Sequence, residues 1–127
     1  VLAADLNWNP SYSYSTLPEK FEEQEIPEHW KVMLTQVDPK EKGYPHFRNI
    51  YLSNVKATGA NQFISAAGWS DSLRLKNFQL YNIEAETQKA GSVKLTEGFI
   101  MKKIHLKTAD NSKINFEENN NLIAEVQ

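Results

Sequence analysis

One pattern restricts this chain more than any other: a bent strand written three times. Ile50-Tyr-Leu52-Ser-Asn54-Val55-Lys-Ala57, Phe78-Gln-Leu80-Tyr-Asn82-Ile83-Glu-Ala85 and Phe99-Ile-Met101-Lys-Lys103-Ile104-His-Leu106 each carry apolar residues at positions 1, 3, 6 and 8. Within each pair the period is 2, the mark of a strand with one buried face. Between the pairs the phase slips by one residue, so the chain must bend there while both pairs stay inward. The copies start 28 and then 21 residues apart, a spacing typical of repeat architectures.

Further short strands are expected between the copies, at Phe63–Ala67, Ser92–Leu95 and Ile114–Phe116, with Gly59, Gly68, Gly91 and Gly98 at the corners. A last run, Leu122–Val126, would begin a fourth turn. Strand-rich coils of this length suit a β-solenoid, and no stripe of period 3.6 argues for helical repeats here. A sandwich or an up-and-down barrel also satisfies the alternation, but gives no reason for a bend recurring in register. Stacked coils would set Asn54 above Asn82 at ~4.8 Å, close enough for amide-to-amide hydrogen bonds, with Lys103 interrupting the ladder.

Residues 1–45 follow another grammar. All five prolines (Pro10, Pro18, Pro27, Pro39 and Pro45) fall there, which predicts an irregular arm and not a sheet interior. One helix is expected inside it, from about Pro27 to Val37. Pro27 suits its first turn, and Trp30, Met33, Leu34 and Val37 form one apolar stripe. The domain reading is therefore an arm over 1–45 and strand coils over 46–127, together one domain.

Composition narrows the function classes. Fourteen basic and sixteen acidic residues leave a net charge of −2, no footprint for duplex nucleic acid or anionic membrane. The longest apolar runs are far too short to cross a bilayer as a helix. Cysteine is absent, which removes disulfides and sulfur-based zinc sites. The chain opens at Val1 with no basic n-region or apolar h-region, and reads as a processed product or a piece of something longer.

Few residues promise chemistry. Glu84 and Glu86 lie on one strand face at a carboxylate spacing of roughly 6.6–6.8 Å, within the range of an inverting glycosidase. Ile83 and Ala85 take the inward side, however, so both glutamates should face water. Glu19, Glu22, Glu23, Glu25 and Glu28 lack the Asp/Asn/Gly rhythm of a calcium loop. His29, His46 and His105 show no ligand spacing, and neither a nucleophile elbow nor a phosphate-binding glycine loop is present. No catalytic residue, metal ligand or cofactor site is assigned. The aromatics are the remaining signal: Tyr12, Tyr14 and Trp69 are candidate sugar-stacking rings, set against a packing role for the same residues.

The phrase Pro45-His-Phe-Arg-Asn-Ile-Tyr-Leu-Ser-Asn-Val-Lys-Ala-Thr-Gly59 resembles the end of glycoside hydrolase family 28, the polygalacturonase family, in a bacterial branch. Asn7-Trp-Asn-Pro-Ser-Tyr-Ser-Tyr14 and Pro27-Glu-His-Trp-Lys31 resemble the long insertion of that branch. The resemblance covers most of this chain but only the last part of such an enzyme. It implies a right-handed parallel β-helix, a pectin-type polysaccharide as partner, and a periplasmic or secreted location. The family's Asn-Thr-Asp, Asp-Asp, Gly-His-Gly and Arg-Ile-Lys motifs do not occur here, so its catalytic carboxylates carry over to no position.

The resulting expectation is a catalytically silent, C-terminal β-helix part of a pectin-degrading hydrolase. The alternative is a stand-alone module that binds polysaccharide or protein. A third reading, an enzyme of unrecognised chemistry, has no residue to name. An open coil end would expose apolar side chains and unpaired strand edges. A capped end or a homodimer through that end is expected.

Overall fold

A computed structural model of the chain describes residues 1–6, 26–33 and 39–127. In chain order its elements are β1 (Leu2–Asp5), α1 (Glu28–Met33), a 3-10 turn (Lys40–Gly43), β2 (Arg48–Ala67), β3 (Leu75–Lys94), β4 (Thr96–Thr108), β5 (Asn115–Glu117) and β6 (Ile123–Val126). Two compact units divide the chain: Val1–Leu6 with His46–Gln127, and Asn7–Pro45.

The first unit is nearly all β, a parallel sheet of long strands. The strands run in the order β1-β2-β3-β4-β6, with β5 beside β3. Every pairing is parallel. The three written copies align residue for residue: Ile50 with Phe78 and Phe99, Leu52 with Leu80 and Met101, Val55 with Ile83 and Ile104. Leu80 is 1% exposed and Met101 not at all, while Leu52 packs half-buried against the same core. Phe78 stacks on Phe99 at 5.5 Å between centroids and meets the edge of Phe47 at 5.3 Å.

The phase slip has a simple backbone cause. Asn54, Asn82 and Lys103 hold φ of +57°, +54° and +53°, so one left-handed residue per copy turns the strand without breaking its ladder. The apolar residues two before and one after each corner, such as Leu80 and Ile83, then both point inward. A second set, Asn49, Asn77 and Gly98, repeats the device with φ of +61°, +53° and +67°. Short extended segments, 50–53, 78–81 and 99–102, are thus bounded by a corner at each end. Because single residues make these corners, the two strands expected within each coil merge into β2 and β3, of 20 residues each.

One element differs from the sequence reading. Leu2–Asp5, assigned to the arm, pairs in parallel with Ile64–Ala67 as β1. Ala4 and Leu6 are buried in the core. Four residues are too few to display a strand period. The final run does join the sheet: β6 pairs with β4 through Ile123, Ala124 and Val126.

Between β2 and β3, Arg74 is only 8% exposed. Its guanidinium donates to the carbonyls of Asp71 (2.8 Å), Thr96 (3.3 Å) and Glu118, and to the Asp71 carboxylate. One buried cation thereby ties the turn at 71–74 to the starts of β4 and of the segment after β5.

In the second unit, α1 opens with Lys31 N–H donating to the Pro27 carbonyl at 3.3 Å. A Glu28–Lys31 pair at 3.6 Å spans its first turn. The expected apolar stripe lies outside the described residues: Leu34 and Val37 entirely, Trp30 and Met33 in their side chains.

Candidate functional site

The segments 50–53, 78–81 and 99–102 turn alternate side chains outward, and these line up across the sheet. Tyr51 sits beside Gln79 and Ile100; Ser53 sits beside Tyr81 and Lys102. Tyr51 is 62% and Tyr81 44% exposed. Asn49 and Asn77 border this face at one corner, and Asn54, Asn82 and Lys103 border it at the other. Tyr51 and Tyr81 are one strand and two residues apart, about 8 Å along the diagonal.

Hydrogen bonds fix the border. Asn82 Nδ2 donates to Asn54 Oδ1 at 2.7 Å, the ladder that stacking predicts, and it stops at Lys103 as expected. At the other corner Asn77 Nδ2 donates to Asn49 Oδ1 (2.9 Å) and to the Tyr51 hydroxyl (2.8 Å). Gln79 Nε2 donates to Asn77 Oδ1 at 3.0 Å. Lys103 Nζ lies 5.0 Å from the centre of the Tyr81 ring. The Tyr81 hydroxyl beside it holds the ammonium above the ordinary lysine pKa.

The face carries Lys102 and Lys103, and Glu125 of β6 stands beside them, between Ala124 in register with Met101 and Val126 in register with Ile104. Two further carboxylates lie past the corners, Glu97 on one side and Glu84 on the other. Amides, hydroxyls, two exposed rings and two ammonium groups make a surface that can stack on apolar ring faces while bonding hydroxyl and carboxylate oxygens.

The sequence candidates fall elsewhere. Tyr12 and Tyr14 lie outside the described residues, as do Glu19, Glu22, Glu23 and Glu25. Trp69 is partly buried against the core, its N–H backbone donating to the Leu73 carbonyl at 2.8 Å. Glu84 and Glu86 face water, paired with Lys56 (3.3 Å) and Lys107 (4.0 Å). His29, His46 and His105 are exposed. Among the described residues no cluster of three metal-ligating side chains forms, and no helix is long and apolar enough to cross a membrane. Tyr51 and Tyr81 went unnoticed in the sequence, although positions 2 and 4 of the repeat are outward by alternation.

A groove of about 560 Å³ opens at the far end of the first unit, lined by Leu106, Ile114, Phe116, Ala124 and Val126 among others. Beside it Asp110 accepts hydrogen bonds from Ser112, whose hydroxyl and N–H hold the carboxyl below its ordinary pKa. Comparison of the chain with protein-family models, with curated proteins and with solved structures finds no match.

Proposed function

We propose that the first unit is a length of right-handed parallel β-helix, the non-catalytic C-terminal part of a pectin-degrading hydrolase similar to glycoside hydrolase family 28. In this reading it extends the stack and borders the substrate groove of an exported enzyme. One observation carries the architecture: β2, β3 and β4 pair in parallel and in register, yet the described residues that join them hold no helix. Parallel neighbours ordinarily need a helical crossover to bring the chain back. Without one, β2, β3 and β4 are read as windings of a single coil that returns through its own short strands. The stack Leu52–Leu80–Met101 is then the internal column of three rungs.

The outward, lysine-paired setting of Glu84 and Glu86 supports a silent role, since inverting hydrolysis needs two carboxylates converging on one sugar. The test is the coding sequence ahead of Val1 together with a reducing-end assay. An upstream frame with clustered aspartate motifs is expected, and the 127-residue chain alone should release no reducing ends from polygalacturonate. A frame without those motifs overturns the hydrolase kinship; turnover by the chain alone overturns the silent role. The exposed Tyr51–Tyr81 face favours a second reading, a stand-alone polysaccharide-binding module, which a motif-free upstream frame would leave in place.

A further inference from the structure

We infer that the two open sides of the first unit's sheet fit one another, so that a second molecule of this chain adds head to tail and continues the ladder. The inference concerns the 127-residue chain, stands on strand pairing alone and does not require the hydrolase kinship. Two stretches of the sheet are offset by one strand. Along one, the neighbours run β2 (48–58), β3 (76–86), β4 and β6. Along the other they run β1, β2 (64–67), β3 (91–94) and β5. Among the described residues, β1 therefore stands one strand beyond 48–58 at the first side, and β6 one strand beyond β5 at the last. A second molecule displaced by four strand spacings, about 19 Å, fills both steps together. Its β1 lies beside β5 and its β2 beside β6.

The joint also matches residue by residue. Asn121 holds φ +51°, the same left-handed corner as Asn49 and Asn77, and the Gly98 N–H donates to the Asn120 carbonyl just before it at 3.0 Å. β6 is thus entered through the same bend as β2. The register seen within the unit sets the second molecule's Leu52 over Ala124, its Val55 over Val126 and its Ala4 over Phe116. A large side chain meets a small one, and a small one meets a large. Phe116 and Val126 are each 37% exposed, and with Ala124 they line the groove of about 560 Å³ at this end. Every pairing in the sheet is already parallel, so the joint repeats a contact that the unit makes within itself. Free strand edges recruit strands in this way. One pair opposes the union: the second molecule's Asp5 would stand beside Glu117, like charges on neighbouring strands. Each addition leaves fresh edges at the two ends, so the assembly does not close on itself.

The measurement is sedimentation velocity of the full chain over a concentration series. Dimers and then longer assemblies are expected to grow in with concentration. Leu52→Lys blocks one side of the joint and Ala124→Lys the other, since each places an ammonium where the second molecule would bury it. Each variant alone should stay monomeric. Mixed in equal amounts, they hold one intact pair of edges, β6 of Leu52→Lys and β2 of Ala124→Lys, and should form a dimer that does not lengthen. Glu117→Gln removes the like charge and should tighten association by up to about fivefold. Ala124 and Glu117 are exposed, and unchanged thermal unfolding verifies that their variants fold. Should Leu52→Lys fail to fold, those two variants carry the test without it. A symmetric contact through β2 alone would leave Ala124→Lys associating like the parent chain. That result, a parent chain monomeric throughout, a mixture of folded variants that stays monomeric, or a Glu117→Gln chain that associates no better than the parent overturns the inference.

Discussion

At the scale of single residues, the corners explain a choice of side chain that composition alone would not. Left-handed backbone costs an ordinary L-residue about 1–2 kcal/mol, and asparagine is among the few side chains that visit it routinely. Asn54 and Asn82 occupy it and bond to each other across the rungs. Asn82→Ala should therefore destabilise by about 1–2 kcal/mol in urea unfolding, while Asn82→Gly should lose less because glycine carries no strain there. Lys103 occupies the same backbone with no amide to offer. Lys103→Asn should stabilise the fold by about 0.5–1 kcal/mol, at the expense of the contact with Tyr81; a less stable variant would show that the contact outweighs the strain. The pH behaviour follows from the same pair. Lys103 titrates above its ordinary 10.5 in the folded chain, so its favourable contact is complete below that value and is lost as pH rises through the folded pKa. The contribution of this contact to stability should accordingly stay level across neutral pH and fall only under strongly alkaline conditions, as urea unfolding over a pH series would read.

The strands show what a sequence discloses and what it conceals. The three copies announced their own register, because a bend at a fixed place in an alternating pattern leaves few alignments that keep Leu52, Leu80 and Met101 on one side. Of the corner at Asn49, Asn77 and Gly98 only the glycine reads as one in the sequence, since the set mixes residue types and the side chains two positions earlier, Phe47, Leu75 and Thr96, share none. β1 was missed for its brevity. The tyrosine face is legible only from alternation within the repeat, which places Tyr51 and Tyr81 outside, whereas Tyr12, Tyr14 and Trp69 stand out by residue type alone. Glycines tell the elements apart in a testable way. Gly91 holds φ +103°, and an added Cβ would lie 1.8 Å from the Ile64 carbonyl oxygen, backbone that cannot step aside. Gly59 holds φ +74° with open space around it. Gly91→Ala should abolish folding or cost more than about 3 kcal/mol, whereas Gly59→Ala should cost only the backbone strain of about 1 kcal/mol. Arg74→Met is the matching test for the turn: carbonyls of Thr96 and Glu118 would lose their donor, and thermal unfolding should report a loss of about 2–4 kcal/mol.

Across the whole first unit, burial is graded along the column instead of uniform. Leu80 and Met101, in the middle, are enclosed; Leu52 on β2 and Ala124 on β6 are not. Among the described residues, Arg48–Thr58 of β2 pairs with β3 on one side and with no strand on the other. An edge of that length, backed by half-buried Ile50, Leu52 and Val55, is a template for another strand. The same truncation should therefore cost different amounts at successive rungs. Leu80→Ala should lose about 2–5 kcal/mol at any protein concentration, because its cavity is internal. Leu52→Ala should cost about 1 kcal/mol in dilute solution, and more as concentration rises, if a second copy covers β2. Mass action requires that coupling: whatever binds only the folded state raises apparent stability with its own concentration. Sedimentation velocity supplies the independent readout, with a dimer growing in on concentration for the parent chain and lost in Leu52→Lys, whose ammonium would have to be buried at the joint. A chain that stays monomeric at every concentration, with Leu52→Ala already as costly as Leu80→Ala, would exclude a second copy as the cover of β2 and remove the dimer.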